Sequence, residues 1–192
     1  MSADNYALFR TAVGWCGIAW NPSGAVAGVQ LPERSESATR ARLRRRCPGA
    51  HEASPPPQVR QAIEGIAGLL NGGGADLSAT ALDMDGIPPR HREIYAIARG
   101  IPAGATRSYG EIAARLGGNG DAREVGEAMA RNPFPIIVPC HRVLGAGGKL
   151  GGFSAAGGVV TKLRLLEIEG ARVGEVPTLF PSLPLAVRPR RR

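Results

Sequence analysis

The sequence predicts an α/β N-terminal unit joined to a mainly α-helical C-terminal unit that carries a helix-turn-helix and a candidate active-site cysteine. Three observations predict it. Strand-like apolar runs flank an Asn21-Pro22-Ser23-Gly24 turn signal in the first half. Short amphipathic segments broken by Gly and Pro fill residues 88–170. A cysteine, Cys140, sits between an apolar run and a His-Arg pair. The chain has 192 residues, 43% of them hydrophobic and 21% charged, enough to bury a core without disulfide or metal staples.

Element by element, Ala7–Trp20 reads as a strand broken by Gly14 and Gly17, and Ala25–Leu31 as its hairpin partner. Ser37–Arg46 reads as a polar helix with five arginines, and residues 47–57 as a loop. Val59, Ile63, Ile66 and Leu70 recur at helical spacing over Pro57–Leu70, and Asn71-Gly72-Gly73-Gly74 ends that helix. Asp76–Met84 reads as a short edge strand. Ile87-Pro88-Pro89 marks a boundary, giving units 1–87 and 88–170 and a basic, mobile tail 171–192.

In the second unit, Arg90–Arg99 reads as a helix stopped by Gly100 and Pro102. Ser108 and Glu111 form a capping box at the start of a helix over Tyr109–Leu116. Gly117–Gly120 is a tight break, and Asp121 caps a helix over Ala122–Arg131. Two short helices joined by such a turn are a helix-turn-helix pattern. Phe134–Val138 reads as a buried extended run, residues 145–152 as a glycine-rich loop, and Thr161–Glu169 as a final helix.

Charge is distributed unevenly. Residues 1–87 hold eight Arg and eight acids, 88–170 sum to +4, and 171–192 to another +4, giving the net +8. A polyanion such as nucleic acid fits that excess. A GC-rich genome fits it too, because 22 of the 24 cationic residues are Arg. No run approaches membrane-span length, and Met1–Arg10 shows no secretory pattern. Three widely spaced cysteines (Cys16, Cys47, Cys140) point to a reducing, cytoplasmic setting.

The chemistry centres on Cys140. A cysteine reacts as its thiolate and needs a nearby base, a cation or a helix N-terminus. Pro139 before it, and His141 and Arg142 after it, suit a turn that presents the sulfur at the start of a short helix, although a buried structural thiol fits the same residues. No metal site is predicted: there is no CxxC pair, and His51, His91 and His141 lie far apart. Residues 145–152 lack the Lys-Ser/Thr of a phosphate-binding loop.

The run Asn132-Pro133-Phe134-Pro135-Ile136-Ile137-Val138-Pro139-Cys140-His141-Arg142-Val143 resembles the active-site signature of the O6-alkylguanine-DNA alkyltransferases, the methylated-DNA–protein-cysteine methyltransferases. The likeness extends back through Ser108-Tyr109-Gly110-Glu111-Ile112-Ala113 and Ala122-Arg123, and forward through Gly151-Gly152-Phe153-Ser154 to Lys162–Gly170. It covers roughly 88–170; the first half matches loosely.

The resemblance implies a ribonuclease-H-like small sheet in the first unit. It implies a monomeric DNA-repair protein that moves an alkyl group from O6-alkylguanine, or O4-alkylthymine, to Cys140, once and irreversibly. It implies Cys140 as nucleophile, His141 as its base through a water, Glu169 as the carboxylate orienting His141, and Tyr109 as proton donor to the base. Tyr109, the Val143 carbonyl, Phe153 and the Ser154 N–H would form the base pocket. Arg123 would fill the vacated stack from a helix lying in the minor groove, with Ala122, Gly126, Asn132 and Arg142 also on the DNA side. No cofactor, metal or membrane is implied. Phe153 stands where many members carry Tyr, and Ala155-Ala156 replace a commoner Gly-Gly, which implies a narrower pocket. The alternatives are a non-catalytic alkyl-lesion reader, which would lack the reactive cysteine, a helix-turn-helix regulator reading the major groove, and a thiol hydrolase that turns over.

Overall fold

A computed structural model describes residues 3–117 and 120–171. Strands β1 (Asn5–Thr11) and β2 (Gly14–Trp20) pair antiparallel, from Asn5↔Trp20 to Thr11↔Gly14. The expected single broken strand is therefore folded in half at Ala12-Val13. Gly14 permits this: its φ of 128° is a conformation that a side chain disfavours, and the Thr11 hydroxyl donates to its carbonyl at 2.8 Å. Asn21 accepts from the N–H groups of Ser23 and Ala25, closing the expected second turn into β3 (Val26–Gln30), which pairs antiparallel with β2.

Helix α1 (Glu36–Arg46) is capped by the Ser35 hydroxyl. The expected loop after it contains a short strand, β4 (His51–Glu52), parallel to β1. The result is a mixed four-stranded sheet in the order β3-β2-β1-β4. Helix α2 (Pro57–Leu70) follows, with Pro at its first turn. Asp76–Met84 is not the expected edge strand; it makes only one isolated bridge, Leu82 to Val26. One Arg99 nitrogen, Nη2, collects the carbonyls of Leu77, Ser78 and Thr80 at 2.7–2.9 Å. Strand carbonyls alternate in direction, so three converging on one atom require a curled chain.

The rest is mainly helical: α3 (Pro89–Arg99), β5 (Arg107–Ser108), α4 (Tyr109–Arg115), α5 (Ala122–Ala130), a 3-10 turn (Cys140–Arg142), β6 (Val143–Leu144), a second 3-10 turn (Ala146–Gly148) and α6 (Val159–Ile168). The capping box forms as expected, with Ser108 and Glu111 bonded reciprocally. The two-stranded parallel pair β5-β6 joins the segment before Tyr109 to the segment after Cys140. The expected extended run Phe134–Val138 is instead a tight buried turn. Val138 N–H reaches back to the Phe134 carbonyl at 2.8 Å, and Ile136 takes a φ of 75°.

Period-two alternation splits the sheet's side chains between two cores. Ala7, Phe9, Cys16, Ile18 and Trp20 join the larger core, which continues through α2–α6 to Phe134, Val138 and Cys140. Tyr6, Ala19 and Ala27 face α1 with Leu43 and Cys47. The Val29 N–H donates to the Pro133 carbonyl at 2.8 Å, so the edge strand β3 is tied directly to the turn before Cys140.

No helix among the described residues is long and apolar enough to cross a membrane. The expected tail from residue 172 onward, and residues 118–119 of the expected Gly117–Gly120 break, lie outside the described residues. At Gly120 a Cβ would collide with the backbone carbonyl of Ala113 on α4. Backbone cannot rotate aside as a side chain can, so Gly120→Ala is expected to cost about 1–3 kcal/mol by forced displacement of α4 from α5. Urea denaturation of the two proteins checks this; a change below about 0.5 kcal/mol would mean the connection yields freely.

Candidate active site

The turn that carries Cys140 is built by Asn132. Its side-chain carbonyl accepts from Phe134 N–H at 2.9 Å, and its amide donates to the Val138 carbonyl at 2.8 Å. Ile136 is the one non-glycine residue with positive φ among the described residues, an unfavourable conformation for a β-branched side chain. It persists because Ile136 is itself buried, as are Phe134 before it and Ile137 and Val138 after it. Cys140 then opens the 3-10 turn, its N–H donating to the Val138 carbonyl at 2.8 Å.

Behind the cysteine lies a buried charged cluster. Glu169, the C-cap residue of α6, accepts from His141 Nε2 at 2.9 Å. It also accepts from Arg142 Nε at 2.8 Å and Nη2 at 2.7 Å, and Arg142 Nη1 donates to the Ile101 carbonyl at 2.5 Å. The side chains of His141, Arg142 and Glu169 are 1%, 7% and 6% exposed, so little solvent screens them. Burial pushes the Glu169 carboxyl up, but the bonds and charges of His141 and Arg142 outweigh that and hold it at about 2. Burial lowers the His141 pKa below 6.5 despite Glu169, so its ring is neutral at pH 7. An ionised carboxylate only accepts, so the proton of the neutral ring sits on Nε2. Nδ1 is then a bare lone pair, buried and with no partner among the described residues.

The Cys140 thiol is itself pushed up by burial, partly offset by a side-chain bond from Asn132 and by the charge of Lys162. It is therefore a thiol at rest, next in the chain to a neutral histidine. Lys162 is a site residue that sequence reasoning missed. It is fully buried on α6, donates to the Val143 carbonyl at 2.6 Å, and lies 5.9 Å from the centre of the Tyr109 ring. Burial lowers its pKa to about 8. The signal was present: Lys162 falls on the same helical face as Leu165 and Leu166, where an apolar residue is the rule.

Two cavities meet at Cys140. One, of about 330 Å³, is walled by Tyr109, Gly126, Met129, Ala130, Gly152, Phe153 and Ser154. The other, of about 390 Å³, runs from Cys140 past Asn132, Pro135, Phe153 and Ala155 to β3 and α1. Ala155 lines this wider cavity without closing it. Tyr109 is half-buried, with its pKa raised by burial and by the neighbouring Cys140, and Gly151 packs beside its hydroxyl.

The structure thus brings together Cys140, Tyr109, Gly126, Phe153 and Ser154, with Asn132 on the wider side and His141 and Glu169 behind. Ala122 and Arg123 are exposed on the first turn of α5, away from both cavities. The Val143 carbonyl is engaged by Lys162, and Val143 walls neither cavity. Arg142 is a correction: expected on the DNA side, it is buried with its guanidinium committed to Glu169 and Ile101. No group of three or more His, Cys, Asp or Glu among the described residues could hold a metal.

Comparison with known proteins adds the family. A profile described as "6-O-methylguanine DNA methyltransferase, DNA binding domain" matches residues 89–171. A methylated-DNA–protein-cysteine methyltransferase of Methanothermobacter thermautotrophicus is 39% identical over 121 residues, 63% of this chain and 66% of that protein. One from Mycobacterium leprae is 51% identical over 102 residues, 53% of this chain and 60% of that protein. The chain's matches thus span less than two thirds of these curated relatives. Among solved structures, Mycobacterium tuberculosis OGT in complex with DNA superposes with a TM-score of 0.68 at 30% identity, covering 86% of this chain and 92% of that one. The O6-methylguanine-DNA methyltransferase of Pyrococcus kodakaraensis superposes equally well at 26% identity, over 86% and 99%.

The buried cluster yields a prediction. Glu169→Gln keeps the shape but leaves the Arg142 charge buried and unneutralised, at an expected cost of roughly 3–5 kcal/mol. Glu127→Gln, in the exposed pair with Arg131 at 2.8 Å, should cost less than about 1 kcal/mol. Urea denaturation of both variants measures the contrast, and equal losses would mean the cluster is screened.

Proposed function

The chain belongs to the methylated-DNA–protein-cysteine methyltransferase family, and from that premise we propose that it repairs O6-alkylguanine in duplex DNA by moving the alkyl group to Cys140. The observation that carries this reading is the cysteine at the junction of two cavities, backed by a neutral histidine whose tautomer a buried carboxylate fixes.

His141 Nδ1 takes the thiol proton through one water as the sulfur attacks the alkyl carbon. An S–C bond forms and the C–O6 bond breaks, its electron pair passing to guanine. Tyr109 donates a proton to the departing base and recovers one from the His141 side, so the thiol's hydrogen ends on guanine. The Ser154 N–H supports the charge developing on O6. Lys162, close to Cys140 and Tyr109, favours the anionic form of each as the proton moves. The thioether is stable, so each molecule acts once.

The target carbon lies within a stacked duplex, so the nucleotide must be flipped out, at about a few kcal/mol. Helices α4 and α5 act as the helix-turn-helix, with α5 in the minor groove. Ala122 and Gly126 allow close approach, and Arg123, exposed beside the first turn, fills the gap in the stack. Asn132 hinges α5 to the cysteine turn. A role in DNA repair, a single copy per lesion and a cytoplasmic setting complete the proposal, as do the ribonuclease-H-like description of the sheet and the boundary near residue 88.

Incubation with a duplex containing one O6-methylguanine should add a single methyl mass, mapping to Cys140 and saturating at one per protein. Cys140→Ala should abolish the gain while leaving lesion binding intact. Tight lesion-selective binding without transfer by the unaltered protein would favour the non-catalytic reader. Arg123→Ala should slow transfer from duplex by about 10- to 100-fold while sparing reaction with free O6-benzylguanine; equal losses would remove Arg123 from the flipping step.

A further inference from the structure

The wider cavity does not end at the cysteine. On its far side it is walled by the N-terminal unit: Gln30 at the end of β3, Glu33 after it, and Arg42 and Arg46, one turn apart on α1. Arg46 is partly buried. Its Nη1 donates to the Val29 carbonyl at 3.0 Å and to the Gln30 side-chain oxygen at 3.2 Å, both uncharged acceptors. Neither Arg42 nor Arg46 has a carboxylate within ion-pair distance among the described residues. Arg40, on the same helix but not on this cavity, is paired with Glu36 and Glu52. Arg131, at the end of α5, also lines the cavity and is paired with Glu127. Glu33 is the one acid on the wall; it accepts from Gln30 at 3.3 Å rather than from either arginine. Three Arg and one Glu leave the lining at +2, with the two unpaired cations together on α1.

A partly buried guanidinium without a counter-charge is costly unless an anion visits it. Desolvation lowers the pKa of Arg46, and Arg42 beside it acts in the same direction. The cavity connects these two cations to the sulfur that receives the alkyl group, whereas the smaller cavity, with Tyr109 and Gly126, is the one suited to the base.

We propose that the wider cavity receives the alkyl arm and that Arg42 and Arg46 make it selective for arms ending in a carboxylate. The inference rests on the alkyl-transfer reading and names a substrate class for it: O6-carboxyalkylguanines alongside O6-methylguanine. Arg42 and Arg46 are specificity residues here; they touch the far end of the arm and not the reacting atoms. The chemistry is unchanged, with the same S–C bond formed and the same C–O6 bond broken.

The test uses the full chain and duplexes carrying O6-carboxymethylguanine or O6-(3-carboxypropyl)guanine, each beside its uncharged carboxamide analogue, with O6-methylguanine as reference. Single-turnover rates give a carboxylate-to-carboxamide ratio for the unaltered protein, Arg42→Gln, Arg46→Gln and Arg46→Lys. Comparing that ratio between proteins cancels the intrinsic reactivity of each arm. For at least one arm length the ratio should fall about tenfold in each Gln variant and recover in Arg46→Lys. Arg42 is exposed and its side chain makes no hydrogen bond among the described residues, so its variant keeps the test open if Arg46→Gln fails to fold. An unchanged ratio at both lengths overturns the proposal. So does a uniform slowing of all five substrates, which would assign the arginines to the DNA backbone. Absence of transfer from O6-methylguanine itself would instead overturn the alkyl-transfer reading on which the inference stands.

Discussion

One carboxylate organises the reactive end of this protein. Glu169 sits where α6 stops, and two consecutive residues of the cysteine turn, His141 and Arg142, both point at it. Burying such a group is unfavourable unless its lone pairs are filled, and here Arg142 supplies a two-pronged match while His141 takes the remaining direction. The pairing does more than hold two segments together. Because Arg142 neutralises Glu169, the histidine need not carry a charge, and burial keeps it neutral. Because Glu169 stays ionised, it accepts the imidazole hydrogen and leaves Nδ1 as an unpartnered lone pair, the group that the proposed mechanism uses as a base. Position, tautomer and protonation state all follow from that single buried contact.

That arrangement settles an apparent conflict between burial and reactivity. A nucleophilic cysteine is usually described as one whose thiolate is stabilised. Cys140 is the opposite: 7% exposed, with burial pushing its thiol up. A standing thiolate would react with any soft electrophile, and on the proposed reading, in which each molecule acts once, such encounters would consume the protein. A thiol beside a neutral base moves its proton only when an electrophile and a leaving group are both in place. Lys162 fits this account: its charge is partly suppressed by burial and lies close enough to favour the anion as it forms.

The sequence made the second half legible because its chemistry is local. The capping box at Ser108, the N-cap at Asp121 and the Pro-Cys-His-Arg turn are each contained within a few residues, and the β5-β6 pair then brings Tyr109 beside the cysteine. What escaped reading depended on partners distant in the chain. The resemblance put Arg142 on the DNA side, whereas Glu169 and Ile101 draw it inward. Asp76–Met84 had strand-like composition, and Arg99 curls it. Ala7–Trp20 was misread for a different reason: Gly14 looked like a flaw within a strand and is the end of a two-residue turn. Ile136 breaks the propensity rule for its residue type and lies four residues before Cys140, where buried Phe134, Ile137 and Val138 hold the strain.

The N-terminal unit is the part whose purpose the motif leaves open, and its contacts suggest an answer in physical terms. Small residues on the sheet, Gly17, Ala19 and Ala27, let α1 approach closely; a Cβ on Gly17 would lie 2.7 Å from Leu43 Cδ2. The same packing fixes Arg46 against the carbonyl of Val29, while the Val29 N–H holds the Pro133 carbonyl. The β3 strand is therefore a short rigid bridge, with the α1 arginines on one side and the turn leading to Cys140 on the other. A wall attached so directly to the turn before Cys140 is held at a fixed distance from the sulfur. On the proposed reading, a cavity that receives an alkyl arm needs that fixed reference, and the N-terminal sheet is the element placed to provide it.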